Sequence, residues 1–157
     1  MTKLYTILIA LFVLQSCKII TEDANLVPAV VIKSQLAQGV TKSNKNFMVK
    51  NAFCKSKILF NENGYMFSLY DVDAKCDNPT FAPIDFFIKK LEVGTYSGSG
   101  PYFFTSSGNG NSSSTSYIGC DVIITKVTAT TVEGKVKGGD SSQDQFIEGS
   151  FTATICK

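Results

Sequence analysis

The sequence predicts an all-β protein, either an antiparallel β-sandwich or a small calycin-like barrel. Three observations carry that expectation. No stretch sustains the 3.6-residue apolar period of an amphipathic helix. Strand-length runs of β-branched and aromatic residues recur instead, at intervals of roughly 8–15 residues. Segments rich in Gly, Asn, Ser and Pro separate them, as turns require.

The N-terminal segment is an address rather than part of the fold. Lys3 precedes an uninterrupted apolar run of eleven residues at positions 4–14 (LYTILIALFVL). That is the length of a signal-peptide core, too short for a helix to cross a hydrocarbon layer of about 30 Å. The run ends in Leu14-Gln15-Ser16-Cys17, which resembles a lipobox. The resemblance implies that the Cys17 thiol takes a diacylglycerol, that cleavage follows Ser16, and that the new amine is acylated, typically with palmitate-length chains. The expected organisation is a signal peptide over 1–16, a lipidated tether over 17–27 and a single β domain over 28–157. Lys18 stands where an inner-membrane retention signal would place aspartate, so a diderm cell would send the protein to the outer membrane. The periplasmic and outer faces both stay open.

Along the domain, Ala29-Val30-Val31-Ile32 after Pro28 is a candidate first strand. Residues 45–54 (KNFMVKNAFC) alternate as a half-buried strand, with Phe47, Val49 and Phe53 expected inward. Residues 58–60 and 65–70 flank Asn61-Glu62-Asn63-Gly64. Asn-Gly favours the positive φ angles of a hairpin turn, which puts Cys54 opposite residues 71–73. Residues 81–92 suit a strand or a short helix after Pro83. Tyr96 and Tyr102-Phe103-Phe104 mark short strand pieces. Residues 105–116 (TSSGNGNSSSTS) are low-complexity and read as a loop. Residues 117–127, 131–136 and 146–156 then form an antiparallel meander.

Composition removes several function classes. The chain has fifteen lysines but no arginine, histidine or tryptophan. The mature part is nearly neutral, with fourteen lysines against thirteen acids, and without guanidinium groups it is a poor nucleic-acid binder. Lacking histidine, it has neither a Ser-His-Asp nor a Cys-His catalytic set, and no typical zinc hydrolase site. With Cys17 lipidated, Cys54, Cys76, Cys120 and Cys156 remain. An even number in an oxidising compartment reads as two disulfides. Of the three connectivities, the expected hairpin favours Cys54–Cys76, which leaves Cys120–Cys156.

VKNAFC (49–54), LYDVDAKC (69–76), VGTY (93–96), CDVIITKVTATTVEGKV (120–136) and IEGSFTATIC (147–156) together resemble small lipoproteins of Bacteroidetes. Those carry a single β-rich domain of unknown function behind a lipobox. The resemblance spans most of the mature chain and brings no catalytic residues with it.

Candidate sites are few. Asp71, Asp73 and Asp77 gather hard oxygen ligands as a calcium loop would, but lack the turn glycine and distal glutamate of an EF-hand, so a solvated turn is the expectation. Asp85 and Glu92 are the two carboxylates a polysaccharide-processing enzyme would need, with edge-strand charges as the plainer reading. Phe81, Phe86, Phe87, Tyr96 and Tyr102 suit a core. Phe103 and Phe104 are adjacent in a strand and so face opposite sides, which makes one of them a candidate binding surface. No cofactor or metal is expected. The sequence therefore suggests a membrane-anchored, non-catalytic binding or structural module of the cell envelope, with another envelope protein or a small ligand as partner. A lipophilic calyx and a carboxylate enzyme are the alternatives.

Overall fold

The computed structural model describes residues 30–41, 46–76, 82–97, 102–107, 114–140 and 145–157, with the backbone alone for 102–107, 114–118, 140 and 145. These residues form strands and no helix, in agreement with the all-β expectation. The strands are β1 (Gln38–Val40), β2 (Asn46–Met48), β3 (Asn51–Leu59), β4 (Glu62–Tyr70), β5 (Ile84–Ile88), β6 (Gly94–Tyr96), β7 (Tyr102–Ser107), β8 (Ser114–Val127), β9 (Thr131–Asp140) and β10 (Gln145–Ile155).

One sheet curls on itself. Antiparallel pairing runs from β3 through β4, β5, β7, β8 and β9 to β10. A short parallel seam, Thr154↔Phe53 and Ile155↔Cys54, returns it to β3 and completes a barrel-like circuit. β6 extends the β7 side of β8, while β1 and β2 extend the β3 side of β10. The meander over β8, β9 and β10 is the longest-paired part, and β9 continues four residues beyond the expected Val136.

Alternation places the core inside the curl. Phe67 and Leu69 of β4, Ile84, Phe86 and Ile88 of β5, Val122 and Ile124 of β8, Val132 and Val136 of β9, and Ile147, Phe151 and Ala153 of β10 are all buried. Phe67 stacks on Phe86 at 4.7 Å between ring centroids, and Phe151 meets both edge-on at 5.5 and 5.3 Å. Aromatic pairs in these geometries add to the transfer free energy of burying each ring. A ring from β10 thus reaches rings from β4 and β5 across the interior, so the curl is filled at its centre.

Several local expectations are corrected. The strand expected over 29–32 does not form at residues 30–32, although Ile32 is buried; among the described residues the first strand is β1. Residues 45–54 split into β2 and β3, because Val49 and Lys50 turn the chain by hydrogen-bonding to Ala37 and Tyr70. Phe47 and Val49 are buried as expected, but on β3 the buried residues are Ala52 and Cys54, so Phe53 faces the other side. The 81–92 segment supplies β5, and strand pairing extends into the low-complexity stretch as Thr105↔Ser116, Ser106↔Thr115 and Ser107↔Ser114.

The hairpin exists, but its turn lies three residues earlier than Asn63-Gly64. Leu59 pairs with Glu62, and the two turn residues Phe60 and Asn61 have φ of 52° and 64°. That is the doubly left-handed pattern of a tight two-residue hairpin. Gly64 serves inside β4 instead: a Cβ there would stand 2.3 Å from the Phe87 ring, so the absence of a side chain lets Phe87 lie against the strand. Gly149, at φ 143°, similarly lets residues 35–37 run close along β10.

The turn shift also overturns the expected disulfides. Cys54 pairs with Phe67 rather than with residues 71–73, and its side chain is buried in the core. The bond is Cys76–Cys156, with Cα atoms 5.6 Å apart and eighty positions apart in sequence. β10 brings Cys156 to the same end by running parallel to β3, where the Cys156 N–H donates to the Cys54 carbonyl. Cys54 and Cys120 point into the core as free thiols. Burial pushes both up to about 12, and for Cys120 the charge of Asp121 adds to it, so neither offers a thiolate at neutral pH.

Candidate functional site

The strands β3, β4 and β5 carry a second, polar cluster on the face opposite the core. Asp85 of β5 is flanked by Ser68 of β4 and by the β7 backbone at Phe104. Ser68 Oγ donates to Asp85 Oδ1 at 2.5 Å. Tyr70, two residues along β4, is 7 % exposed and packs edge-on against Phe53 at 5.9 Å. Burial pushes the Asp85 carboxyl up to about 6, against the opposing pull of the Ser68 hydrogen bond and the Lys57 charge. Burial, and then the charge of Asp85, push the Tyr70 phenol up as well. Asp85 is therefore not the edge-strand charge the sequence suggested. It lies on a strand paired on both sides, where removing its carboxylate from water costs free energy.

This cluster can hold or release one proton near pH 6. Ser68 is engaged with a carboxyl group, no imidazole stands beside it, and Glu92 is elsewhere. Glu92 sits exposed in the β5–β6 connection, where its backbone N–H and carbonyl bond the Tyr96 hydroxyl at 3.3 and 2.8 Å. Asp85 and Glu92 share no partner among the described residues.

The other predicted positions fall as follows. Asp71 and Asp73 are exposed, and Asp73 bonds Lys50 Nζ at 2.8 Å, an interaction that holds its carboxyl below the usual range. Asp77 and Phe81 lie outside the described residues, as do Cys17 and the tether. Among the described residues no three His, Cys, Asp or Glu side chains group to hold a metal ion. Phe103 and Phe104 belong to β7 by backbone, opposite Phe86 and Asp85, and their side chains lie outside the described residues. Phe86 and Phe87 are fully buried, on opposite faces of β5.

Two surface features went unread in the sequence. A shallow groove of about 270 Å³ runs beside Leu36, Thr125, Glu133, Lys135, Ser150 and Thr152. Its charged groups are already engaged: Lys126 with Glu133 at 3.0 Å, and Lys135 with Ser34 at 2.8 Å. The second feature is the far end of the β3–β4 hairpin. β5 pairs with β4 only over Tyr65–Leu69, and β10 pairs with β3 only at Phe53 and Cys54. The pairs Ile58↔Asn63 and Leu59↔Glu62 consequently form a two-stranded tip with no third strand paired to it among the described residues, although Phe87 and Ile88 lie over Gly64 and Lys89 bonds Glu62. Residues 55–58 are all exposed, Ile58 at 68 % and Phe60 at 55 %. The signal that could have located it is Lys-Ser-Lys between Cys54 and Ile58, where the apolar alternation of β3 stops.

Comparison with family models, curated proteins and solved structures finds no match to this chain.

Proposed function

We propose that the protein is a lipid-anchored lipoprotein of the cell envelope, held in the outer membrane through Cys17, whose β domain acts as a non-catalytic binding or structural module. The observation that carries the binding half of this reading is the filled curl. Phe67, Phe86 and Phe151 occupy the centre in mutual contact, so a partner meets this domain on its surface rather than in an interior calyx. The dispersed carboxylates support the non-catalytic half, since Asp85 is engaged with Ser68 on β5 while Glu92 lies exposed in the β5–β6 connection. The anchor rests on the sequence at 14–17, where two or three acyl chains at about 0.8 kcal/mol per buried methylene would make attachment effectively permanent.

Metabolic labelling with a clickable fatty acid tests the anchor. The native chain should take the label and Cys17→Ser should remain an unlabelled, uncut precursor; a labelled or processed Cys17→Ser chain removes the reading. For the domain, hydrolysis of purified envelope polysaccharide that Asp85→Asn abolishes would replace the binding module with the carboxylate enzyme.

A further inference from the structure

We infer that the free end of the β3–β4 ribbon seats on an anionic lipid surface, through Ile58 and Phe60 inserted at the headgroup boundary and the surrounding lysines held over it. The inference rests on the envelope reading above and adds a second, orienting membrane contact to the lipid anchor.

The tip pairs apolar and cationic groups in the way an interfacial segment does. Ile58 and Phe60 are both more than half exposed. Lys55 and Lys57 precede them on β3, and Lys89 and Lys90 follow β5 beside β4. The acids near these lysines are Glu62, bonded to Lys89 at 2.8 Å, Glu92 beyond Lys90, and Asp85, on which the Lys57 charge acts; four lysines against three acids leave the end net positive. Phe60 sits at positive φ, where fold stability alone favours Gly or Asn. Its aromatic ring is nonetheless more than half exposed at the tip.

The chemistry of the tip fits lipid better than protein. Two apolar side chains are far short of the roughly 800 Å² per partner of a stable protein interface. The cations are lysines, hydrated point charges suited to the diffuse field of anionic headgroups rather than to bidentate pairing.

Strand direction gives the contact a consequence. The segment before β1 lies alongside β10 in the same direction, with Leu36 bridged to Ser150 and Lys33 bonded to Glu148. β3 is also parallel to β10 and runs on past its end. From Glu148 to Ile155 and from Cys54 to Leu59 is about 40 Å of strand at roughly 3.3 Å per residue. Lys33 and the ribbon tip are thus at opposite ends of the strands, and a domain that meets the membrane at both ends lies along it.

The chain has no tryptophan, so Phe60→Trp supplies a sole reporter, with Ile58→Trp as a second in case the turn rejects the larger ring. The lipidated protein is reconstituted into vesicles of phosphatidylcholine alone or mixed with phosphatidylglycerol, with bromine-labelled acyl chains as quencher. The expected result is blue-shifted, quenched emission in the anionic vesicles, weakened by salt. Lys55→Glu with Lys57→Glu should weaken it by roughly fivefold or more per lysine. Equal emission in neutral and anionic vesicles, or quenching that survives the double substitution, overturns the assignment. Emission shielded in native envelopes but not in anionic vesicles overturns it too, in favour of a protein partner. Failure of the anchor shows separately, as protein that does not float with neutral vesicles; adding anionic vesicles to that same protein still reads the ribbon.

Discussion

β3 is two strands in one. From Asn51 to Cys54 it alternates half-buried and buried residues against the core, and from Lys55 to Ile58 every residue is exposed. The backbone is the same, paired without a break to β4 from Asn51↔Tyr70 to Leu59↔Glu62. What changes is the company. The first half is flanked by β10 and lies over the aromatic centre, whereas the second half pairs only with β4 among the described residues. The pairing of a hairpin thus persists where its burial does not, because the two-residue turn at Phe60 and Asn61 fixes the register from the far end. An isolated ribbon is marginal in water, so the exposed half depends on the buried half for its stability.

Substitutions along the hairpin should expose that dependence. Phe67→Ala, in the buried half, removes a ring that touches Phe86 and Phe151, and should cost about 3–5 kcal/mol in denaturant unfolding. A loss near 1 kcal/mol would mean that the centre can collapse and is not close-packed. Next comes the covalent link. Cys76→Ser with Cys156→Ser opens a closure of eighty residues, which the chain-entropy account values at about 4 kcal/mol, with engineered removals commonly costing 2–5. Because the residue 156 N–H bonds the Cys54 carbonyl, the loss should loosen the β3–β10 seam first, seen as faster backbone amide exchange at positions 155 and 156 than at Val136. Uniform loosening would show that the seam has no separate stability.

The buried half also has a polar side, and pH separates it from the ribbon. Asp85 has a folded-state value near 6 against an ordinary 3.8. The folded protein therefore holds this proton more tightly than the unfolded chain. The contribution is fully present below about pH 4 and is lost as pH rises through 6. About two pKa units correspond to a loss of about 3 kcal/mol by pH 7, an order-of-magnitude figure. Asp85→Asn, which keeps a group for Ser68 but carries no charge, should therefore be more stable than the native protein at pH 7 and close to it at pH 4. Urea unfolding at the two pH values checks this, and a gain of the same size at both would assign the effect to packing.

These differences mark what the sequence could disclose. The all-β class was legible because β8, β9 and β10 are long, β-branched and joined by short turns, so that local pattern and tertiary pairing agree. The hairpin was legible, but its turn was not. Asn63-Gly64 is the stronger local signal, and it lost to a packing demand made by Phe87, a residue more than twenty positions away. That shift of the turn carried the disulfide assignment with it, since Cys54 moved from opposite residues 71–73 to opposite Phe67. The parallel seam that brings Cys156 to Cys76 leaves no mark on any single strand. Asp85 was legible as a candidate, but its environment was not, because burial on the outer face of β5 depends on neighbours from β3 and β4. The exposed ribbon could be read only as an interruption of alternation, whose meaning needed the end of β10.

The smallest expected effect is also the sharpest on the two halves of the hairpin. Phe60 adopts φ 52° in a position that tolerates Asn or Gly with less strain. Phe60→Asn should keep the two-residue turn and the Leu59↔Glu62 pair while relieving the backbone. The expected gain is about 1 kcal/mol, or a few degrees in Tm for a domain of this size. The same substitution at a core aromatic would be strongly destabilising, so opposite signs at Phe60 and Phe67 would establish that one continuous hairpin carries one aromatic for the fold and another for contact outside it. If Phe60→Asn instead costs stability, the ring packs on the ribbon beneath it and the tip is part of the fold. If it stabilises the domain and also removes its preference for anionic vesicles, stability and surface contact pull in opposite directions at a single side chain.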